Sequence, residues 1–260
     1  MKKRYVKKQN IYKYLFYLIL LINLLTLGYI LYKDHRIRQY LSEKINDVLG
    51  FKGAPEGNFL YGIDVSEYQG VINWSQITDI EKDHEISFVM IRSTAGKDHR
   101  DRYFTSNWRK AKNKGIIRAA YHYFRPNEEG IKQAEFFIKN VQLSSGDLPP
   151  IIDIEELSDI QSVNSLISEL DLYVKKIEEH FGVKPIIYTG AYFYKRYLLG
   201  NFSNHILWIA NYNEIKNPLL EFSWSFWQYT DKGKIKGVKG PVDLDVFKGN
   251  KDQLKKLLLK

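Results

Sequence analysis

Carboxylate side chains stand near the ends of three short apolar runs in this 260-residue chain. Asp64 closes LYGIDV, Asp153 and Glu155 close PIIDIE, and Asp243 lies in VDLDVF. Side chains two positions apart on a strand point to the same face, with α-carbons roughly 6.5–7 Å apart. Asp153 and Glu155 are therefore expected to project together, and their mutual repulsion should raise one pKa. One protonated acid beside one charged acid suits general acid catalysis, including glycoside cleavage.

Structural readings of the same residues remain open at this point. A single acid at a strand end is often a helix cap or a surface charge, whereas two acids on one inner face are costly as structure alone. Cysteine is absent, which excludes a thiol nucleophile and disulfides. A metal-dependent sugar deacetylase would need a histidine pair, but the histidines of the domain are scattered: His84, His99, His122, His180 and His205. We expect no metal and no cofactor, and a hydrogen-bonded strand position for His122.

Short apolar runs and helical periodicity alternate along the chain after residue 58. Eight runs are typical of strands: 59–65, 86–92, 117–124, 150–155, 184–190, 205–212, 224–230 and 242–247. The clearest helical patterns cover 128–141, with Asn127 as a candidate cap, and 163–181. This alternation predicts an α/β fold in which parallel strands close into an eight-stranded barrel with fewer than eight helices. In such barrels the chemistry lies at the carboxyl ends of the strands.

The N-terminal segment has a different composition. Residues 14–32 contain no charged side chain, and a helix of this length spans roughly 28 Å, close to the apolar thickness of a bilayer. Basic residues without acids fill positions 1–13, so the positive-inside rule places this tail in the cytoplasm and the large domain outside. We expect one transmembrane helix at 14–32, followed by a stalk at 33–58. A cleaved signal peptide and a buried helix are the alternatives.

Net charge also divides along the chain. The total is +9, yet residues 1–58 carry 11 basic and 4 acidic side chains, whereas the remaining residues carry 28 and 26. The basic excess therefore belongs to the N-terminal segment, and no nucleic-acid partner is expected. Within the large part we expect a barrel domain over 59–249 and a short amphipathic tail helix, 250–260, that packs on the barrel.

Eight short segments follow one another through the whole domain, in the order GIDVSEYQGVINW (62–74), FVMIRSTAG (88–96), AAYHYFRP (119–126), PIIDIE (150–155), PIIYTG (185–190), LWIANY (207–212), SFWQYT (225–230) and VDLDVF (242–247). In this order they resemble glycoside hydrolase family 25, the Chalaropsis-type lysozymes. The resemblance implies a flattened, TIM-like β/α barrel. It also implies hydrolysis of the β-1,4 bond between N-acetylmuramic acid and N-acetylglucosamine in peptidoglycan.

The resemblance also assigns expected roles to the four acids. Glu155 would be the general acid and later the base that activates water. Asp153 would support the N-acetyl group of the substrate, whose carbonyl attacks C1 in substrate-assisted catalysis. Asp64 and Asp243 would hold the hydrogen bonds of this pair and set its charges. Family members often carry a glutamate where this chain has Ala95, so one strand-end carboxylate is missing here.

Polar and aromatic side chains near later strand ends are candidates for substrate binding, with core packing as the alternative for each: Tyr121, Tyr123, Tyr188, Tyr212, Trp227 and Gln228. The expected partners are glycan strands of peptidoglycan and, through residues 14–32, the cell membrane. We expect a single-pass enzyme with an extracellular catalytic domain that remodels or opens the cell wall. A catalytically weak peptidoglycan-binding module on the same barrel is the alternative.

Overall fold

The computed structural model describes residues 2–33, 54–80, 84–212, 217–219 and 222–260. The chain forms two compact units, Met1–Phe51 and Lys52–Lys260. We describe each unit by itself.

The first unit contains one long helix, α1 (Lys2–Lys33). Large apolar side chains described between Tyr14 and Tyr29 are exposed along it. In the part of the chain that the structure describes, no helix combines the length and hydropathy needed to cross a membrane. The transmembrane helix predicted at 14–32 is therefore not confirmed, and the side chains of residues 30–32 lie outside those described. Most of the predicted stalk, 34–53, also lies outside the described residues.

The second unit is built on a closed barrel of eight strands, which confirms the eight runs predicted from the sequence. These strands are β1 (Phe59–Val65), β3 (His84–Ala95), β5 (Ile117–Tyr123), β6 (Ile151–Asp153), β7 (Ile186–Gly190), β8 (Leu207–Ala210), β9 (Phe226–Gly233) and β10 (Val242–Lys248). The barrel closes because β1 pairs with both β3 and β10. Two short strands, β2 (Asp79–Ile80) and β4 (His99–Arg100), pair with β3 outside the ring.

One barrel strand runs against the others. β10 is antiparallel to both β1 and β9, whereas the remaining neighbours in the ring pair in parallel. The prediction of an all-parallel, TIM-like barrel was therefore wrong for β10. Only residues 234–241 join β9 to β10, and a parallel crossover needs about a dozen residues or more. The start of β10 consequently lies at the end of the barrel where the parallel strands finish, which we call the carboxyl rim.

The helices of this unit are α2 (Phe104–Asn113), α3 (Gly130–Asn140), α4 (Val163–Phe181), α5 (Ala191–Phe193) and α6 (Lys251–Lys255), with a π turn over Tyr194–Leu198 and 3₁₀ turns over Glu67–Gln69 and Trp74–Gln76. The apolar faces of α2 to α5 pack on the outside of the barrel in an outer core, which includes Leu166 and Leu170 of α4. A separate inner core fills the barrel and includes Phe88 and Trp208. Strand residues alternate between these two cores, as a pleated strand requires.

Helix ends show where local sequence signals held and where they failed. α4 has the predicted bounds because the Ser162 side chain accepts a hydrogen bond from the Ser165 amide and Gly182 ends the helix in a left-handed conformation, at φ 71°. α3 begins at Gly130, two residues later than predicted, and Asn127 does not cap it. The Asn127 side chain instead accepts from the Ser158 hydroxyl at 2.7 Å.

The C-terminal segment closes the opposite end of the barrel, which we call the amino end. Leu254 of α6 is fully buried in the inner core, and Leu257 and Leu258 pack against it. The predicted tail helix is therefore present and packs on the barrel. It is shorter than predicted, because it ends at Lys255.

Candidate active site

The structure places Asp153 and Glu155 on the same face of one strand segment. Ile151 belongs to the inner core, whereas Ile152 and Ile154 belong to the outer core. The alternation therefore directs Asp153 and Glu155 inward at the carboxyl rim, and their carboxyl groups lie within hydrogen-bonding reach of each other.

Burial and repulsion give this acid pair unusual protonation. Asp153 is 6% exposed, and its Oδ1 atom has no hydrogen-bond partner among the described residues. Burial, followed by the charge of Glu155, raises the pKa of Asp153 well above its ordinary value. Glu155 reaches solvent, but surrounding protein atoms displace part of its water and raise its pKa as well. Two carboxyl groups in contact favour one proton shared between them, and the deeper burial of Asp153 favours the protonated form of that acid.

A second acid group lies beside the first, across β1 and β10. Asp64 pairs in register with Asp243, which is possible at this rim only because β10 is antiparallel. Asp245, two residues further, is fully buried. Burial raises the pKa of Asp64 and of Asp245 well above the ordinary value, and the charge of Asp243 adds to both effects. Burial and then the charge of Asp231 raise the pKa of Asp243 to about 7.

Gln228 connects this second acid group to the rim. Its Nε2 donates to Asp64 Oδ2 at 2.7 Å. Its Oε1 accepts from the hydroxyls of Tyr188, at 2.8 Å, and Tyr212, at 2.6 Å. Because both hydroxyls point at the same oxygen, the orientation of the Gln228 amide is fixed. Three of the predicted binding residues therefore form one hydrogen-bonded unit with a predicted catalytic acid.

β5 separates its tyrosines from its histidine. Tyr121 lies in the inner core, and Tyr123, two positions later, shares its face at the rim. His122 points outward, where its Nε2 lies 3.2 Å from Gln133 Oε1 and its ring stacks on Tyr173. Burial lowers the pKa of His122 to about 3, so the ring is neutral. His122 therefore has the hydrogen-bonded strand position that was expected from the sequence.

Trp227 does not join the site, and its prediction as a sugar-binding residue is corrected. Its neighbours Phe226 and Gln228 point into the barrel, so Trp227 points outward into the helical layer. Its side chain is fully buried, and its Nε1 donates to the Asn211 carbonyl at 2.9 Å. No face of the ring is left for a sugar.

Arg92 is a rim residue that the sequence reading missed. Its side chain is almost fully buried, with Nε 3.3 Å from Asp101 and a terminal nitrogen 3.2 Å from Glu67. Its guanidinium also lies 4.7 Å from the centre of the Tyr68 ring. The charge of Arg92 lowers the pKa of Asp153 and so opposes the effect of burial. Arg92 continues the inward series of Phe88 and Met90, and this period-two signal could have identified it.

The missing carboxylate at position 95 is a feature of the folded rim as well as of the sequence. Ala95 is buried and pairs with Tyr123 on one side and His99 on the other. Within the described residues, no group of three or more His, Cys, Asp and Glu side chains is arranged to hold a metal ion.

Comparison with known proteins identifies the family to which this closed barrel belongs. The sequence model of glycosyl hydrolases family 25 matches residues 63–238. This chain belongs to glycosyl hydrolase family 25. It is accordingly a glycoside hydrolase.

Relatives and solved structures support the same membership. YegX of Escherichia coli K12 is 36% identical over 201 residues, which cover 77% of this chain and 74% of YegX. Lysozyme M1 of Streptomyces globisporus is 31% identical over 78% of this chain and 72% of its own length. The structure of a family 25 glycosyl hydrolase from Bacillus anthracis superposes with a TM-score of 0.69 at 32% identity, covering 80% of this chain and all of that one.

Proposed function

We propose that this family 25 chain is a muramidase, which hydrolyses the β-1,4 bond between N-acetylmuramic acid and N-acetylglucosamine in peptidoglycan. The observation that carries the proposal is the inward-facing pair of Asp153 and Glu155 at the rim, whose carboxyl groups lie within hydrogen-bonding reach of each other. The likeness to a relative named as a lysozyme supports this choice of substrate. A weak binding module is not favoured, because a module that only binds has no use for a buried acid, Asp153, held against a second acid that repels it.

We propose substrate-assisted catalysis as the mechanism. The carbonyl oxygen of the substrate's N-acetyl group attacks C1 while the glycosidic C1–O bond breaks. The electron pair of that bond goes to the leaving oxygen, which takes the proton of Glu155. Glu155 then removes a proton from water as the water oxygen adds to C1, and the acetamido group is restored. No oxygen nucleophile from the protein is required.

This mechanism needs the shared proton on Glu155, whereas burial favours it on Asp153 in the unliganded pair. The unpartnered Oδ1 of Asp153 offers a reason for the transfer. An acetamido N–H that donates to this oxygen stabilises the charged form of Asp153. The proton then passes to Glu155, beside the bond to be cleaved. Substrate binding thus prepares the acid only when an N-acetyl group is present.

Residues around the pair are proposed to hold the sugar rings. Tyr121 and Tyr123 share the inner face beside the acids, and Tyr188 and Tyr212 present hydroxyls fixed by Gln228. Aromatic rings with a polar group at one end suit sugars, which combine apolar faces with hydroxyl edges.

The test of this function is mass analysis of fragments that the purified full-length chain releases from isolated cell walls. The proposal predicts new reducing ends on muramic acid. Glu155→Gln should release no fragments while it still sediments with the walls, and Glu179→Gln, which removes an exposed carboxylate, should act like the wild type. Reducing ends on glucosamine, or fragments released by Glu155→Gln, would refute the assignment.

A location on the outer face of the cell membrane, with a role in remodelling or opening the wall, remains part of the proposal. Its support is the uncharged sequence of residues 14–32 after a basic tail. After alkaline washing, the full-length chain should stay with the membranes. Leu20→Arg with Leu24→Arg should release it, because each central arginine costs about 2.5–3.5 kcal/mol in a bilayer. Complete release of the wild type by the wash would contradict this location.

A further inference from the structure

Tyr68 is an exposed aromatic residue that has no role in the proposed mechanism. It belongs to the 3₁₀ turn that follows β1, so it lies at the carboxyl rim. Its side chain is 82% exposed, more than any other large apolar side chain described in the second unit. Single exposed apolar side chains are common on protein surfaces, so exposure alone does not indicate a binding site. Tyr68 differs from an ordinary exposed side chain in the contacts that hold it.

The turn that carries Tyr68 is fixed by hydrogen bonds at both ends. The Ser66 hydroxyl accepts from the Tyr68 amide at 3.3 Å, and the Ser66 amide donates to Gln69 Oε1 at 2.8 Å. The Glu67 amide donates to Asp101 Oδ2 at 2.6 Å, which ties the turn to the segment after β4. The backbone position of Tyr68 is therefore set before any ligand binds.

The ring of Tyr68 lies against Arg92. The guanidinium lies over the ring, 4.7 Å from its centre, and also interacts with the Tyr68 hydroxyl. A cation at this distance attracts an aromatic ring. Arg92 is itself held by Glu67 at 3.2 Å and by Asp101 at 3.3 Å, the two acids that belong to the turn or bind its amide. The ring, its cation and the turn thus form one unit, in which the ring face away from Arg92 is open to solvent.

The order of the strands gives the position of this ring relative to the acid pair. Arg92 of β3 is in register with Tyr121 of β5, and Tyr123 of β5 is in register with Asp153 of β6. β3 and β5 therefore lie between the acid pair and β1, the strand that precedes Tyr68. A sugar that stacks on Tyr68 is consequently not one of the two sugars joined by the bond to be cleaved.

We propose that the open face of Tyr68 binds a sugar ring of the glycan strand, at a subsite beyond the two sugars joined by the scissile bond. An aromatic ring that is already fixed binds without the loss of side-chain freedom that a mobile ring incurs. A substrate that reaches from the acid pair to Tyr68 is a strand of several sugars, so this subsite favours polymeric glycan over short fragments. The inference rests on the proposed function, because it concerns the same substrate at the same rim.

Binding of soluble peptidoglycan strands to the full-length Glu155→Gln variant tests the subsite without cleavage. Adding Tyr68→Ala should weaken binding about 10-fold, as expected for the loss of one aromatic contact. Adding Tyr68→Phe, which keeps the ring, should change binding by less than about three-fold. Leu172→Ala removes a 40% exposed side chain from α4 and is the control, which should bind like the parent. Equal binding by the Tyr68→Ala protein, or equal losses with Ala and Phe, would overturn the proposal.

Kinetics in the otherwise wild-type chain distinguish a subsite from a general loss of activity. On long strands Tyr68→Ala should raise KM about 10-fold and leave kcat within about two-fold, because the ring does not touch the reacting sugars. The rise in KM should be smaller on the shortest fragment that the wild type cleaves. A loss confined to kcat, or the same rise in KM at every length, would contradict the subsite.

The same assays separate this inference from the proposed function. A wild type that leaves the walls intact refutes the function, and the subsite with it. A wild type that cleaves the walls while Tyr68→Ala has an unchanged KM refutes the subsite alone. Melting curves give the temperature range in which the variants are folded, and Tyr68→Ala should have nearly the Tm of the wild type because the side chain is exposed.

Discussion

The buried acids at the two ends of this barrel differ in their hydrogen-bond partners. At the amino end, Asp147 accepts from Arg118 at 2.7 and 3.1 Å and from the Ser144 amide at 2.9 Å, so both of its oxygens are satisfied. At the carboxyl rim, Asp153 and Asp245 each have a buried oxygen that lacks a hydrogen-bond donor among the described residues, and acid faces acid.

This difference between the two ends distinguishes buried acids that stabilise the fold from buried acids that are suited to proton transfer. Buried carboxylates that only support a fold are paired, because an unpaired charge in the interior costs several kcal/mol. Carboxyl groups that must hold and transfer protons are left short of donors and cations, which raises their pKa toward neutral pH. The crowded acids, which cost folding free energy, thus lie at the carboxyl rim, where we propose that the reaction takes place.

Glu155→Gln, a substitution at the carboxyl rim, should give the largest effect. The effect should be on activity and not on stability. Removing a general acid lowers kcat/KM by about 10³-fold, or about 4 kcal/mol of transition-state stabilisation. The Tm should not fall, because the variant removes a repelling charge. Kinetics on soluble glycan fragments, together with a melting curve, measure both quantities. A loss below ten-fold would mean that another group protonates the leaving oxygen.

Arg118→Met should give the opposite pattern at the amino end. It leaves the buried Asp147 without its cation, and broken pairs of this kind cost about 3–5 kcal/mol of folding free energy. Activity per folded molecule should not change. Denaturant unfolding measures the effect, and Arg118→Met with Asp147→Leu is the control, which should recover much of the loss. If the double variant is no more stable than Arg118→Met alone, the loss does not come from leaving Asp147 without its cation.

Leu254→Ala tests the apolar closure of the same end. The side chain is fully buried in the inner core, so its truncation should cost about 2–3 kcal/mol without a change in kcat. Leu199→Ala removes a side chain that is 40% exposed and should change stability by less than about 0.5 kcal/mol. A drop in kcat for Leu254→Ala at a temperature where the protein is folded would show that the two ends are coupled.

Glu85→Gln should give the smallest effect. Glu85 and Lys251 pair at 2.9 Å, but their side chains are 69% and 61% exposed. Exposed ion pairs are screened by water, so the expected change in folding free energy is below about 0.5 kcal/mol. A loss of folding free energy above about 2 kcal/mol would show that the exposure of an ion pair does not predict its contribution to the stability of this protein.

Period-two patterns allowed much of this site to be predicted from the sequence. They identified the eight strands and placed Asp153 and Glu155 on one face. The period-two rule also places Asp245 on the same face of its strand as Asp243, two residues earlier. It would therefore have predicted that Asp245 is a buried acid. It would also have placed Trp227 opposite Gln228 and thus outside the site.

Other features depend on contacts between distant segments, which a local pattern does not contain. The direction of β10 follows from the connection at 234–241, which is shorter than the crossover that a parallel strand needs. The role of Arg92 depends on acids 25 and 9 positions away, Glu67 and Asp101. The site of the shared proton depends on the relative burial of two neighbours, which becomes visible only in the folded rim.

The dependence of kcat/KM on pH, compared between the wild type and Asp153→Asn, tests the shared proton most directly. Activity requires one proton on the pair and is lost as pH rises through the pKa of that last proton, which burial and the charge of the second acid raise. The wild type should therefore keep its activity to a pH well above the ordinary glutamate value of about 4.3. In Asp153→Asn no second charge remains, so the alkaline loss should move to lower pH, by about one unit or more, with a reduced maximum. An alkaline limb at the same pH in both proteins would contradict a proton shared by Asp153 and Glu155.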